Sequence, residues 1–115
     1  MVHEAPESVN CPRCAGSALQ MMREKNTGLE VGQCPKCKGL WFAGGSLAKM
    51  LRLPDETFLP PNTALHVSRR CPTCRIRMCG FRFPDALFEI EVCEQCRGVW
   101  LDEGEYEQIR SLRSR

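Results

Sequence analysis

At 115 residues, with only 7% aromatic residues and apolar runs broken every few positions by Gly, Pro or charge, the chain cannot assemble a large hydrophobic core. Its formal charge is +2, with 7 basic and 6 acidic residues in 1–57 and 9 and 8 in 58–115, a balance that excludes a strongly basic nucleic-acid domain. No apolar run approaches the roughly 18 residues that would span a membrane, and the N-terminus has two acids and no apolar core, so it is no export signal.

Residues 1–9 read as a flexible tail. Cys11-Pro12-Arg13-Cys14 is a Cys-x-x-Cys knuckle, and Leu19 to Glu24 followed by Leu29 to Gln33 reads as a hairpin turning at Asn26-Thr27-Gly28. The hairpin leads into a second knuckle, Cys34-Pro35-Lys36-Cys37, and then Gly39-Leu40-Trp41. Ser46 can cap a short helix over Leu47 to Leu53, which Pro54 stops. Residues 53–69, with Pro60-Pro61 and no strong period, read as a semi-rigid linker.

The second half repeats the first. Cys71-Pro72-Thr73-Cys74 is followed, past a Pro84-Asp85 turn, by Phe88, Ile90 and Val92 alternating with Glu89 and Glu91, the period of a half-buried strand. Then come Cys93-Glu94-Gln95-Cys96, Gly98 and Trp100. Asp102 and Glu105 fit a capping box that opens a helix with Tyr106, Ile109 and Leu112 on its inner face. The end, Ser111 to Arg115, carries no helix stop and suits a chain that continues into something longer.

Cys34 to Cys93, Cys37 to Cys96, Gly39 to Gly98 and Trp41 to Trp100 are separated by 59 residues, whereas Cys11 to Cys71 and Cys14 to Cys74 are separated by 60, so one loop differs by one residue. In this alignment Cys79 falls opposite Leu19 and reads as a small buried apolar residue. Two Cys-x-x-Cys pairs, 19 or 18 residues apart, supply four thiolates to one tetrahedral zinc site. The expected ligands are Cys11, Cys14, Cys34 and Cys37 in one site and Cys71, Cys74, Cys93 and Cys96 in the other, with one Zn2+ each. Units of about 45 residues need such a metal, since their cores are too small. Nine cysteines without an export signal indicate a reducing cytoplasm rather than a disulfide framework.

The fold expected is therefore small and metal-stabilised, mainly β with short helices. It consists of two tandem four-cysteine zinc ribbons, each a β-hairpin, a third strand and a short terminal helix. Residues 10–52 form the first ribbon and 70–115 the second. Cys-Pro-x-Cys, a hairpin, then Cys-x-x-Cys-x-Gly-x-Trp-Leu-Asp-x-Gly-Glu resembles the small zinc-ribbon modules named for the zinc finger of transcription factor IIB, a family widespread in bacterial proteins. The second copy matches through Trp100-Leu101-Asp102-Glu103-Gly104-Glu105, and the first departs at Phe42 to Ser46. The resemblance implies zinc binding over about 10–52 and 70–112.

Four cysteines close a zinc shell, leaving no open position for catalysis, so no enzymatic activity is expected. His3 and His66 lie outside the repeat and have no partner at ligand spacing. Trp41 and Trp100 read as packing residues rather than base-stacking platforms. The function expected is a zinc-stabilised module binding a protein partner, with exposed hairpin edges that a partner strand can extend. The alternative is nucleic-acid binding through Arg69, Arg70, Arg75, Arg77 and Arg82, beside Phe81 and Phe83. Against it, each Zn2+ with four thiolates carries a charge of minus two, so two sites move the formal charge from +2 to −2. The opposing reading places the arginines against Glu89 and Glu91. A second alternative is a thiol or chaperone-type module, since Cys34 to Gly39 and Cys93 to Gly98 resemble half of the Cys-x-x-Cys-x-Gly-x-Gly repeat of DnaJ-type chaperones.

Overall fold

The computed structural model describes residues 9–83, 86 and 88–113. Residues 1–8 of the expected 1–9 tail and the Pro84-Asp85 turn lie outside the described residues, while the Val9 carbonyl accepts a hydrogen bond from the Leu19 N–H at 2.7 Å. Among the described residues, seven strands run β1 (Gln20–Arg23), β2 (Glu30–Gln33), β3 (Leu40–Phe42), β4 (Leu65–Arg70), β5 (Arg77–Arg82), β6 (Glu89–Val92) and β7 (Val99–Leu101). Helix α1 (Ser46–Leu51) follows β3, and α2 (Glu105–Arg113) follows β7. All neighbouring strands are antiparallel and form one sheet in the order β1-β2-β3-β7-β6-β5-β4. This is the mainly β, twice-repeated ribbon architecture expected, with the two copies fused edge to edge.

The fusion runs through β3 and β7, where Leu40 pairs with Leu101, Trp41 with Trp100 and Phe42 with Val99. Under the 59-residue offset, Trp41 corresponds to Trp100, and the pair Leu40–Leu101 maps onto the pair Val99–Phe42. A pseudo-twofold axis therefore passes between the two tryptophans. Each indole covers the motif glycine of the other copy. A Cβ on Gly39 would overlap the Trp100 ring, and one on Gly98 would overlap the Trp41 ring. Glycine is needed because it lets another group approach the backbone this closely.

Side chains alternate across these strands, so the sheet has two buried faces. On one, Trp41 and Trp100 pack with Leu19, Met78 and the buried knuckle cysteines Cys11, Cys34, Cys71 and Cys93. On the other, Val31, Phe42, Leu47 and Leu51 of the first copy join Phe81, Ile90, Val92, Leu101 and Ile109 of the second in one cluster. Tyr106 of α2 stacks on Phe42 of β3, ring centroids 5.6 Å apart.

Several local expectations change. Helix α1 begins at Ser46 itself: its N-cap is Gly45 at φ 81, and no side chain caps it. It stops at Leu51, two residues early, because Arg52 takes the left-handed conformation and the Leu53 N–H closes back on the Ala48 carbonyl at 2.9 Å. The stretch 53–69 is folded. It contains a 3-10 turn at Asp55–Phe58, whose Phe58 is buried against Phe83, and it supplies most of β4. β6 is buried on both faces: Glu91 is only 9% exposed because it lies opposite Trp100 and beneath Arg69.

The one-residue difference between copies lies in the first knuckle. Cys71, Cys34 and Cys93 each donate their N–H to a carbonyl five residues on, whereas Cys11 donates to Ser17, six residues on. The extra residue is absorbed by Gly16 at φ 78. Strand register follows: Gln20 pairs with Gln33 as Cys79 pairs with Val92. Cys79 therefore corresponds to exposed Gln20, and Leu19 corresponds to Met78, which corrects the expected alignment of Cys79 with Leu19.

Candidate metal centres

Each knuckle is a tight turn that aims two sulfurs to one side. In three of the four, the residue after the second cysteine adopts a left-handed conformation: Lys38 (φ 64), Arg75 (φ 66) and Arg97 (φ 66). That conformation returns its N–H to the carbonyl of the first cysteine, at 2.9, 2.9 and 2.8 Å respectively. Backbone N–H groups then point at sulfur: Arg13 and Cys14 donate to Cys11 Sγ at 3.3 and 3.1 Å, and Thr73 and Cys74 donate to Cys71 Sγ at 3.3 and 3.2 Å. Such donors stabilise a thiolate.

The hairpins carry the knuckles of each copy to a common point. The sulfurs of Cys11, Cys14, Cys34 and Cys37 lie within 4.8 Å of one another, and so do those of Cys71, Cys74, Cys93 and Cys96. Cys11 and Cys37 sulfurs are 3.7 Å apart, as are those of Cys71 and Cys96. Four sulfurs at about 2.3 Å from a tetrahedral zinc ion would be separated by about 3.8 Å. The spacing and the donor set fit such an ion, and none of the nine cysteines is in a disulfide.

The electrostatics point the same way in both copies. Burial pushes the Cys11 thiol up to about 12. Burial raises Cys71 and Cys96 as well. At Cys34, burial is outweighed by the Ser17 hydroxyl, 3.4 Å away, and by the Cys37 and Lys36 N–H groups, and the thiol falls to about 6. Its counterpart Cys93 is likewise lowered, against burial, by the N–H groups of Cys96 and Gln95. One sulfur per cluster is thus shifted toward its thiolate by the protein, and neighbouring sulfurs resist further negative charge. A divalent cation removes that repulsion and lets all four ionise.

The five arginines do not form a single cluster: Arg70, Arg75 and Arg77 are neighbours, whereas Arg69 and Arg82 face acids. Arg69 is held internally, Nη1 lying 2.9 Å from Glu91 Oε1 and 3.0 Å from Asp102 Oδ1, and Trp100 Nε1 donates to the same Asp102 oxygen at 3.1 Å. Arg82 lies across from Glu89. Arg70 and Arg77 are cross-strand neighbours, and Arg70 Nη1 donates to the Arg75 carbonyl at 3.0 Å. Arg70 and Arg75 border a cleft of about 370 Å³ between the first and third knuckles, which Arg13 also lines. The Asp102 carboxylate is engaged by Arg69 and Trp100, and the capping box keeps its other arm, the Asp102 N–H donating to Glu105 Oε1 at 2.8 Å.

A third group was missed in the sequence: His66, Cys79 and Glu94 place their ligand atoms within 4.8 Å of one another. No spacing rule reveals it, since its members sit on two strands and a knuckle, and the alignment that hid Cys79 behind Leu19 removed the one cue.

Among the described residues, no helix is long and apolar enough to cross a membrane. No curated protein and no solved structure is similar enough to match. The family described as "Transcription factor zinc-finger" matches twice, over residues 10–53 and 70–111, one match per copy of the ribbon. With two tetracysteine clusters at the ends of its paired hairpins and a match over most of its length, the chain belongs to the transcription factor zinc-finger family.

Proposed function

We propose that this is a non-enzymatic, cytoplasmic module in which two Zn2+ ions, one per ribbon, are structural and the edge strand β1 receives a protein partner. The eight knuckle cysteines are the ligands, four to each ion. A shell of four thiolates leaves no position for water or substrate, which is why the role is structural.

The observation that carries the partner reading is the state of β1. It is the outermost strand of the first copy among the described residues, and all four of its residues are exposed. Met21 and Met22 are 47% and 45% exposed, on opposite faces of the strand. Met22 also borders a cavity of about 310 Å³ lined by Val31, Leu40, Phe42, Met50 and Tyr106. An edge strand beside an apolar recess suits strand addition: backbone hydrogen bonds hold a partner strand while a side chain fills the recess. Methionine adapts to varied partners.

Capture of partners by the zinc-loaded chain from its native cell, after nuclease treatment, tests this. A protein retained at high salt by the wild type and lost by Met21→Glu/Met22→Glu is the expected result. Retention by that variant would overturn it. The second reading, nucleic acid, rests on Arg13, Arg70 and Arg75 around one cleft. It requires binding that weakens steeply with salt and collapses in Arg75→Glu/Arg77→Glu.

A further inference from the structure

The outer edge of the second copy carries a cluster that the ribbon fold does not require. His66 on β4 pairs directly with Cys79 on β5, and Glu94, the residue after Cys93, reaches back to both. His66 Nε2 and Glu94 Oε1 are 2.8 Å apart. Cys79 alternates with Met78, whose side chain packs among the tetracysteine sulfurs, so Cys79 faces the other side of the sheet and cannot join that site. In the first copy the corresponding residues are Gln20 and Pro35, and the hairpin is built there without them.

We propose that His66, Cys79 and Glu94 form a third metal site, an open three-ligand site for a divalent transition-metal ion of the Zn2+ class. Imidazole, thiolate and carboxylate together suit zinc, and three protein ligands are the number that leaves a fourth position for water or another ligand. The position is accessible: His66 and Glu94 side chains are each 55% exposed, while Cys79 is 2% exposed and forms the floor. On binding, the proton held between His66 Nε2 and Glu94 Oε1 is given up to solvent, the imidazole staying neutral by carrying its proton on Nδ1. The Cys79 thiol proton is also released to solvent, and Nε2, the carboxylate and the thiolate form three coordinate bonds. Nothing is oxidised or reduced. With three ligands instead of four, one contributed by a solvent-exposed carboxylate, the ion is held more weakly than in the closed sites and exchanges faster.

Native mass spectrometry of the full chain titrated with Zn2+ counts the ions. Two tightly held ions and a weaker third are expected, the third lost or weakened at least about 10-fold in His66→Gln and Glu94→Gln. Both substitutions alter exposed side chains, so retention of the two tight ions reports that each variant has folded. Added Co2+ gives the two-zinc protein a thiolate-to-cobalt absorption band that Cys79→Ser lacks. Two ions and no third in excess Zn2+, or a third that survives both His66→Gln and Glu94→Gln, would overturn the site. Fewer than two tight ions would instead contradict the structural-zinc reading.

Discussion

Among the described residues, the outermost strand of the first copy, β1, leaves all four residues exposed, whereas its counterpart β5 has β4 laid along it and buries Met78, Cys79 and Phe81. Among the described residues, the first copy has the isolated bridge Asn10 to Ala18 at the place where Arg70 of β4 pairs with Arg77 in the second. One ribbon plan thus ends in two ways. Along β1 the described residues leave Met21 and Met22 exposed; along β5 the covering strand brings His66 to Cys79 and Arg69 to Glu91. The central strands differ least, because each copy supplies the tryptophan that the other copy's glycine admits.

Metal withdrawal has the largest expected effect. Zinc contributes on the order of 10–16 kcal/mol in finger peptides, more than the roughly 5–15 kcal/mol net stability of a small domain. Chelation is expected to abolish the fold, with both copies lost in one transition by circular dichroism; two resolved transitions would mean that the copies are independent. Next come Gly39→Ala and Gly98→Ala, each forcing a Cβ into the opposite indole. Overpacking of this kind costs about 1–3 kcal/mol, and near-equal losses in denaturant midpoint would support the pseudo-twofold interlock.

Arg69→Ala separates the copies more sharply, since the equivalent positions of the first are Val9, Gly32 and Ala43, none of which carries a charge. It leaves Glu91, whose side chain is 12% exposed, without its cation, at a cost of about 1–3 kcal/mol. Arg69→Ala/Glu91→Leu should recover part of that loss.

The smallest effect concerns Glu105. Burial pushes its carboxyl up to about 7, with the nearby Asp102 and Glu91 carboxylates adding to burial, against the Asp102 N–H hydrogen bond. A carboxyl whose folded pKa exceeds its ordinary 4.5 favours folding in acid, and this contribution is lost as pH rises from 4.5 through about 7. Between pH 5 and 7, Glu105→Gln is therefore expected to show a flatter fall in thermal stability than wild type. Parallel profiles would place the group at its ordinary pKa.

Local patterns reached the fold through short-range rules. The knuckles set the thiolate clusters, the alternation of Ile90 and Val92 set one face of β6, and the spacing of Tyr106, Ile109 and Leu112 set the inner face of α2. What stayed hidden depends on contacts between distant segments. Glu91 reads as solvent-facing until Arg69 and Trp100 are seen around it. Gly39 and Trp41 lie two residues apart and read as one local motif, yet each finds its complement in the other copy. A single extra residue at Gly16 was enough to shift the alignment and conceal Cys79.

The two copies form one interlocked unit that carries two tetracysteine clusters. The most direct test of the interlock is the Cys93→Ser/Cys96→Ser variant, followed by zinc content and amide hydrogen exchange over residues 10–52. Loss of one zinc together with loss of protection at β3, where Trp100 no longer covers Gly39, is the predicted result. A first copy that keeps its zinc and its full native protection would contradict the interlock.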